Sequence, residues 1–370
     1  MKLAWLFERQ VVNLPDYAML MNSPTALDQQ IRADPRPFCT LCGTRGEFIH
    51  VDLPDRLFGA PGHWSLKRCL NRRCQLIWLD PMPVPEDLGK AYSTYYTHKA
   101  PEITESSPRS LVRRCYRLLK MSYLADKYGY ETGVNSVLAR SLGKLLYVFP
   151  TRRRDVDGFV RHLRWVPQGK LLDVGCGAGH WMLLMRELGW NVQGVDFDEA
   201  SVNLARAQGL KIHQGSLEEQ NLGGDHFDAV MLNHVIEHVV DPVRTLIECA
   251  RILKPGGRLI MATPNSSALA HRIFKQYWRG LEPPRHLHLF NPVSMRKLLD
   301  QTGFRNASLR VENSLFIWKE TFKLWGQTRR DVAAKFAEAF GPYLFVILER
   351  CWLTVQSSAG EALSVEAVKE

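Results

Sequence analysis

The sequence predicts an α/β protein whose second half is a doubly wound, seven-stranded parallel sheet with helices on both faces. Three observations carry this. From residue 169 onward, short apolar runs alternate with helix-length amphipathic segments, the pattern of βαβ units. The first run, Lys170–Val174, ends in a glycine-rich loop that opens a helix. The last residues, 361–369, alternate apolar and polar side chains as a half-buried strand does.

The chain has 370 residues, room for two domains or three modules and for a sizeable core. Apolar residues make up 45% and charged residues 23%, which excludes disorder, collagen and coiled coil. No apolar run is long enough for a transmembrane helix. The apolar start at 1–7 meets Glu8 and Arg9, too early for an export signal, so the cytoplasm is the expected compartment. There, eight cysteines are too sparse for a disulfide scaffold, and paired cysteines read as metal ligands.

Residues 1–36 are a weakly patterned N-terminal segment. Residues 37–98 are expected to form a small zinc-ribbon module. Cys39-x2-Cys42 and Cys69-x4-Cys74 lie 26 residues apart and can place four thiolates around tetrahedral Zn²⁺. Such a ribbon has no open coordination position, so its expected role is structure or acceptor docking. Pro81, Pro83 and Pro85 then lead into Tyr92, Tyr95 and Tyr96.

Residues 99–165 are expected to be a basic helical linker or lid. Within it, 109–128 has helical periodicity, with Leu111, Cys115, Leu118 and Leu119 on one side. Arg109, Arg113, Arg114, Arg117 and Lys120 supply its charge. A second basic helix is expected over 136–149, ahead of Arg152-Arg153-Arg154. Residues 1–168 carry 25 Lys+Arg against 16 Asp+Glu, and the remainder 23 against 22. The basic front half favours an anionic partner or surface.

Residues 166–370 supply the sheet. Strands are predicted over Lys170–Val174, Asn191–Asp196, 211–213, 227–232, 258–263, 307–312 and the final residues. Helices are predicted over about 180–188, 199–208, 241–253 and 292–302. An aromatic-rich helical insertion at about 315–356 precedes the last strand. Its segment 344–348 is apolar on every helical face, so it is expected to be buried. A lid made jointly with residues 100–150 is the favoured reading; a homodimer contact and insertion into a membrane surface are the others.

The loop at 171–179 reads Leu-Leu-Asp-Val-Gly-Cys-Gly-Ala-Gly. Gly175, Gly177 and Gly179 let the backbone turn sharply and let a ligand approach without a Cβ in the way. The spacing is G-x-G-x-G, Asp173 precedes the loop, and Asp196 ends the next strand, where it can bond two ribose hydroxyls. With GVDFD, FDAVMLNHVIEHVVDP and LKPGGRLIMATPN, this sequence resembles the class I S-adenosylmethionine-dependent methyltransferases over about 169–313 plus the final strand. The resemblance implies a Rossmann-like sheet and S-adenosyl-L-methionine as cofactor. It places the methionine part at Asp173, Gly175, Cys176, Gly177 and Gly179, and the ribose at Asp196, beside Phe197. It places the adenine near Ser216 and Leu217, although the family often has an acid where Ser216 stands. Asn233 ends the fourth strand, also on the cofactor side.

Methyl transfer is an in-line displacement that needs an aligned acceptor and, where the acceptor is a hydroxyl, a base. Candidates follow the fourth strand: His234, Glu237 and His238, which on a helical turn would share one face. His286 and His288 form a second cluster beside Arg285. A histidine suits a general base near neutral pH. The same His234-Val-Ile-Glu237-His238 segment is similar to the E-x-x-E-H pattern of ubiquinone-pathway and small-RNA O-methyltransferases, which hold a divalent cation there. Here His234 replaces the first glutamate, and more imidazole with less carboxylate suits Mg²⁺ worse.

The expected activity is methylation, at oxygen, of a small sugar-, nucleotide- or lipid-linked metabolite, anionic if the basic half meets it. The ribbon, the prolines and the Tyr92-x-x-Tyr95-Tyr96 run also resemble a bacterial small-molecule class that includes sugar C-methyltransferases. A nucleic-acid methyltransferase would suit the ribbon and the basic half. However, no Asn-Pro-Pro-Tyr-type motif follows the fourth strand, which reads Leu232-Asn233-His234-Val235. Peripheral membrane contact and a homodimer stay open.

Overall fold

A computed structural model describes residues 30–93, 111–133, 141–329 and 332–370. In chain order its strands are β1 (Ala33–Asp34), β2 (Gly46–Pro54), β3 (His63–Cys69), β4 (Ile77–Leu79), β5 (Met82–Pro83), β6 (Lys170–Val174), β7 (Asn191–Asp196), β8 (Lys211–Gln214), β9 (Phe227–Asn233), β10 (Leu253–Pro264), β11 (His288–Leu289), β12 (Phe304–Glu312) and β13 (Ala362–Lys369). Its α-helices are α1 (Leu111–Tyr128), α2 (Pro150–Phe159), α3 (His180–Glu187), α4 (Glu199–Ala207), α5 (Pro242–Ile252), α6 (Leu269–Phe274), α7 (Pro292–Gln301), α8 (Leu315–Gly326) and α9 (Val332–Leu353). The expected N-terminal segment and the 100–108 linker lie largely outside the described residues.

A seven-stranded sheet runs in the order β12-β13-β10-β9-β6-β7-β8. β6, β7 and β8 pair in parallel, joined by α3 and α4. β13 runs antiparallel between β10 and β12, a departure from the all-parallel expectation. Its alternation is as read: Leu363, Val365 and Ala367 are buried. The sequence order reverses at β6, the arrangement of doubly wound sheets that bind ligands outside the carboxyl ends of their strands. Caps fix where the helices begin. Asp198 accepts from Ser201 N at 3.0 Å, while Asp241-Pro242 and Asn291-Pro292 each put a capping side chain before a proline at the first turn.

The chain divides into two compact units. One comprises the described parts of 97–215 with Phe227–Ala229. In it, Asp157 on α2 accepts from Tyr123, Lys127 and Tyr128 of α1 at 2.7–2.9 Å. The expected apolar side of α1 is wrong in phase. Cys115 and Leu118 are exposed, whereas Lys120, Tyr123 and Leu124 are buried. The aromatic rings, which the apolar count ignored, win the interior. Of the second basic helix expected over 136–149, residues 136–140 lie outside the described ones, 141–142 are helical, and a 3-10 turn covers Gly143–Val148. An added Cβ at Gly143 would sit 2.5 Å from the Tyr123 backbone, so this turn packs too closely for other residues.

The other unit comprises Ala26–Tyr96, Ser216–His226 and Val230–Glu370, described from residue 30. Its four-stranded antiparallel sheet has the order β11-β4-β3-β2. β11 comes from the far end of the chain, with His288 opposite Trp78. Trp64, Leu66 and Leu79 share one core with Trp278, Leu287, Trp318 and Phe322. The separate module expected at 37–98 is therefore built into this unit.

The insertion is helical as expected, as α8 and α9. Residues 344–348 are not enclosed within this unit: Leu344 is 56% and Ile347 57% exposed, and Cys351 is exposed too. Only one face of α9 packs on α8, through Phe345 against Trp318 and Phe322. Of the joint lid expected with 100–150, residues 100–110 and 134–140 lie outside the described ones.

Candidate active site

The first unit presents the glycine loop at the carboxyl end of β6. Gly175, Gly177 and Gly179 all have positive φ (68°, 52° and 79°). Gly175 N and Cys176 N donate to Val195 O on β7 at 2.7 and 3.2 Å. Asp196 closes the loop, its Oδ2 accepting from Gly177 N at 2.7 Å and its Oδ1 from Asp198 N at 2.9 Å. An added Cβ at Gly177 would meet nothing within 4 Å, so the loop's outer side is open to a ligand. At Gly179 it would meet Leu210 at 2.3 Å, so that glycine serves packing.

Asp173 is buried at the end of β6. Burial first, and the Asp196 charge second, push its carboxyl up to about 8, with Arg161 opposing. Such a group is poised to ionise when a cation arrives. Burial also raises Asp196, against the N–H groups that hold it down. The Cys176 thiol is raised by burial and by both aspartates, so it is an inert lining group. The Phe197 ring is exposed.

In the second unit, Ser216 caps a 3-10 turn, Leu217–Glu219, through a reciprocal bond with Glu219, and Leu217 is buried. Asn233, at the end of β9, is half-buried, and its Oδ1 has no hydrogen-bond partner among the described residues.

Residues 234–238 form a bend and a turn. His234 takes φ +57° while its N–H donates to Ala262 O at 2.8 Å, which ties it to β10. The turn's carbonyl at Glu237 accepts from Leu287 N and His288 N at 2.8 and 3.1 Å. The two histidine clusters of the sequence are thereby brought together. The His238 and His286 rings meet edge to face at 4.7 Å. His234 stands apart from that pair, exposed, with Nδ1 3.2 Å from Glu237 Oε1.

Each inner imidazole has one nitrogen held by a main-chain carbonyl. His238 Nδ1 lies 3.0 Å from Arg285 O, His286 Nδ1 2.8 Å from Gly280 O, and His288 Nδ1 3.2 Å from Val239 O. A carbonyl only accepts, so each Nδ1 carries the proton and each Nε2 keeps a lone pair. Burial lowers both His286 and His288 to about 4, so both are neutral at neutral pH. His238 is half-buried and also lies 3.0 Å from the Tyr92 hydroxyl.

Beneath them lies a buried ionic network. Arg285 donates to Glu282 at 3.0 Å and to Asp55 and Ala91 O at 2.9 Å, with all three side chains inaccessible. Arg279 also pairs with Glu282. Burial works against Glu237, yet the His234 hydrogen bond and the nearby imidazoles hold it down to about 2. Donor atoms of Glu237, His238 and His286 all lie within 4.8 Å of one another and can hold a cation. His286, not His234, completes that set.

Cys39, Cys42, Cys69 and Cys74 converge within 4.8 Å as free thiols. The Cys39–Cys74 and Cys42–Cys69 sulfurs are 3.6 and 3.4 Å apart. Tetrahedral ligands at 2.3 Å would be about 3.8 Å apart, so the set fits a tetrahedral thiolate site.

Tyr92, Asp55, Glu282 and Arg279 escaped the sequence reading as site residues. Tyr92 stood out only as part of an aromatic run, and the Asp55–Arg285 pair spans 230 positions, a distance no local pattern carries.

The family described as "Methyltransferase domain" matches residues 140–309. A ubiquinone biosynthesis O-methyltransferase from Maricaulis maris is 38% identical over 147 residues, covering 36% of this chain and 58% of that protein. The chain thus spans little more than half of that relative. Another of that name, from Dinoroseobacter shibae, is 30% identical over 184 residues, covering 46% of this chain and 72% of that protein. A solved S-adenosylmethionine-dependent methyltransferase from Mesorhizobium loti is 20% identical, with a TM-score of 0.40, covering 58% of this chain and 97% of that one.

Proposed function

The chain belongs to the S-adenosylmethionine-dependent methyltransferases, and on that footing we propose that it methylates a hydroxyl of a small molecule, with His238 as the general base. The observation that carries this is the His238 ring: Nδ1 is pinned by Arg285 O, and Nε2 is left as the acceptor of a proton. Its neighbours His286 and His288 are buried, which leaves His238 as the partly accessible imidazole of the cluster. The names of the relatives support oxygen as the acceptor atom.

The cofactor supplies an electrophilic methyl on a sulfonium. The residues after β6 fit it: a loop open above Gly177, and two buried carboxyls, Asp173 and Asp196, for a cationic ligand with a ribose. When bound there, the cofactor would supply the methyl group, and His238 Nε2 would take the proton that the acceptor hydroxyl gives up as it is methylated. Tyr92 and the Arg285 carbonyl hold the imidazole in place, and Glu237 is placed to stabilise its charged form. His238→Ala is expected to lower turnover about 10²–10⁴-fold while cofactor affinity stays within threefold. Full turnover in that variant would remove His238 from the chemistry.

A second reading has support from the Glu237, His238 and His286 grouping: a cation held by one carboxylate and two imidazoles, a set that suits a transition ion better than Mg²⁺. Loss of turnover on dialysis against a chelator, restored by Mn²⁺ or Zn²⁺, would favour it over the base.

The four-cysteine cluster is assigned one structural zinc ion. Because that segment shares its core with Trp278 and Trp318, Cys39→Ser should release the metal and destabilise more than the knuckles alone. Metal analysis that finds no zinc in stable wild-type protein would refute the assignment.

A further inference from the structure

We propose that the 3-10 turn Gly143–Val148 and the start of α2 dock on an anionic membrane surface. The turn is held from below: Leu146 is fully buried and Gly143 packs on the Tyr123 backbone. What it presents outward is apolar. Leu142, Leu145, Val148 and Phe149 are 51%, 52%, 70% and 56% exposed, four large side chains within eight consecutive residues. Scattered apolar side chains on a surface need no explanation, but a cluster at the tip of a well-anchored turn marks an interaction site.

The charge around the cluster identifies the partner. Lys144 lies within the turn, and Arg152 and Arg154 follow it, all three exposed. Residues 141–154 contain no acid. Arg153 lies over the Tyr147 ring at 4.9 Å and Arg152 over Tyr116 of α1 at 5.6 Å, so the cations are held beside the apolar tip. Apolar side chains that enter the acyl boundary while flanking Lys and Arg meet phosphate headgroups are the signature of interfacial binding. A nucleic-acid surface would use the cations without the aliphatic tip, and a protein partner would not require cations of one sign.

The test is sedimentation of the full chain with vesicles of phosphatidylcholine, alone or with 30 mol% phosphatidylglycerol, at low and high salt. The protein should sediment with the anionic vesicles and not with the neutral ones, and high salt should release it. Arg152→Gln and Arg154→Gln should each weaken binding about fivefold, since one interfacial charge contributes about 1 kcal/mol. Val148→Glu with Phe149→Glu should weaken it at least tenfold while leaving S-adenosylmethionine binding unchanged, which confirms that the variant is folded. Failure of wild-type protein to sediment, or equal sedimentation of the glutamate variant, overturns the proposal. So does a variant that loses a dimer or RNA binding instead of vesicle binding.

Discussion

Replacing Asp196 by alanine probes the cofactor site at its narrowest point. The carboxylate is buried, and each oxygen accepts one main-chain N–H, from Gly177 at 2.7 Å and from Asp198 at 2.9 Å. Hydrogen bonds to a charged group contribute about 1.5–3 kcal/mol each. Alanine therefore frees the glycine loop and removes the acceptor assigned to the ribose hydroxyls. Losing the ribose interaction alone weakens S-adenosylmethionine binding roughly 10–100-fold. Asp196→Asn keeps the volume and one acceptor, so it should fall between alanine and wild type. Calorimetric titration at pH 7, with circular dichroism to confirm folding, reads both. A folded alanine variant that binds within threefold of wild type would show that the ribose lies elsewhere.

Asp173, raised to about 8, is mostly protonated at pH 7 in the free protein. A cationic ligand favours its charged form, so binding should release close to one proton, measured by titration in buffers of different ionisation enthalpy; no buffer dependence would show that Asp173 does not sense the ligand. His286 and His288 are lowered to about 4, so below pH 6.5 the unfolded chain takes up protons that the folded one refuses. Stability is then complete above pH 6.5 and falls between 6.5 and 4, by about 2 kcal/mol per imidazole at pH 5, which urea melts at pH 7 and 5 will show; equal midpoints would contradict it. Arg285→Met leaves Asp55 buried without its cation and Glu282 with Arg279 alone, and should destabilise by about 3–5 kcal/mol in the same melts, whereas a loss under 1 kcal/mol would mean the network is not closed.

The sheet was legible because its signals are local. β6 and β7 match their expected bounds, since an apolar run bounded by Gly175 or by Trp190 and Asp198 leaves few alternatives. Both cysteine knuckles were legible for the same reason. β10 begins five residues earlier than expected, at Leu253, because the strand continues through Pro255, Gly256 and Gly257, which read as a turn. The glycine loop needed only its own residues. The histidine site did not, because Glu237 O anchors Leu287 and His288 from fifty positions away, and that pairing makes two clusters into one. Faces of helices were least legible. α1 buries Tyr123 and Lys120 in place of Leu118, and α9 exposes Leu344 and Ile347, because packing partners, not periodicity alone, set the phase.

In the proposed reaction a methyl group passes from S-adenosylmethionine to a small-molecule hydroxyl while His238 takes the proton. Labelled cofactor, incubated with extracts and then fractionated into small molecules, lipid, nucleic acid and protein, tests it directly. Label is expected as a methyl ether in a small-molecule or lipid fraction, lost with His238→Ala although that variant still binds the cofactor. Label in nucleic acid or protein, or a methyl–carbon bond in the product, would contradict it.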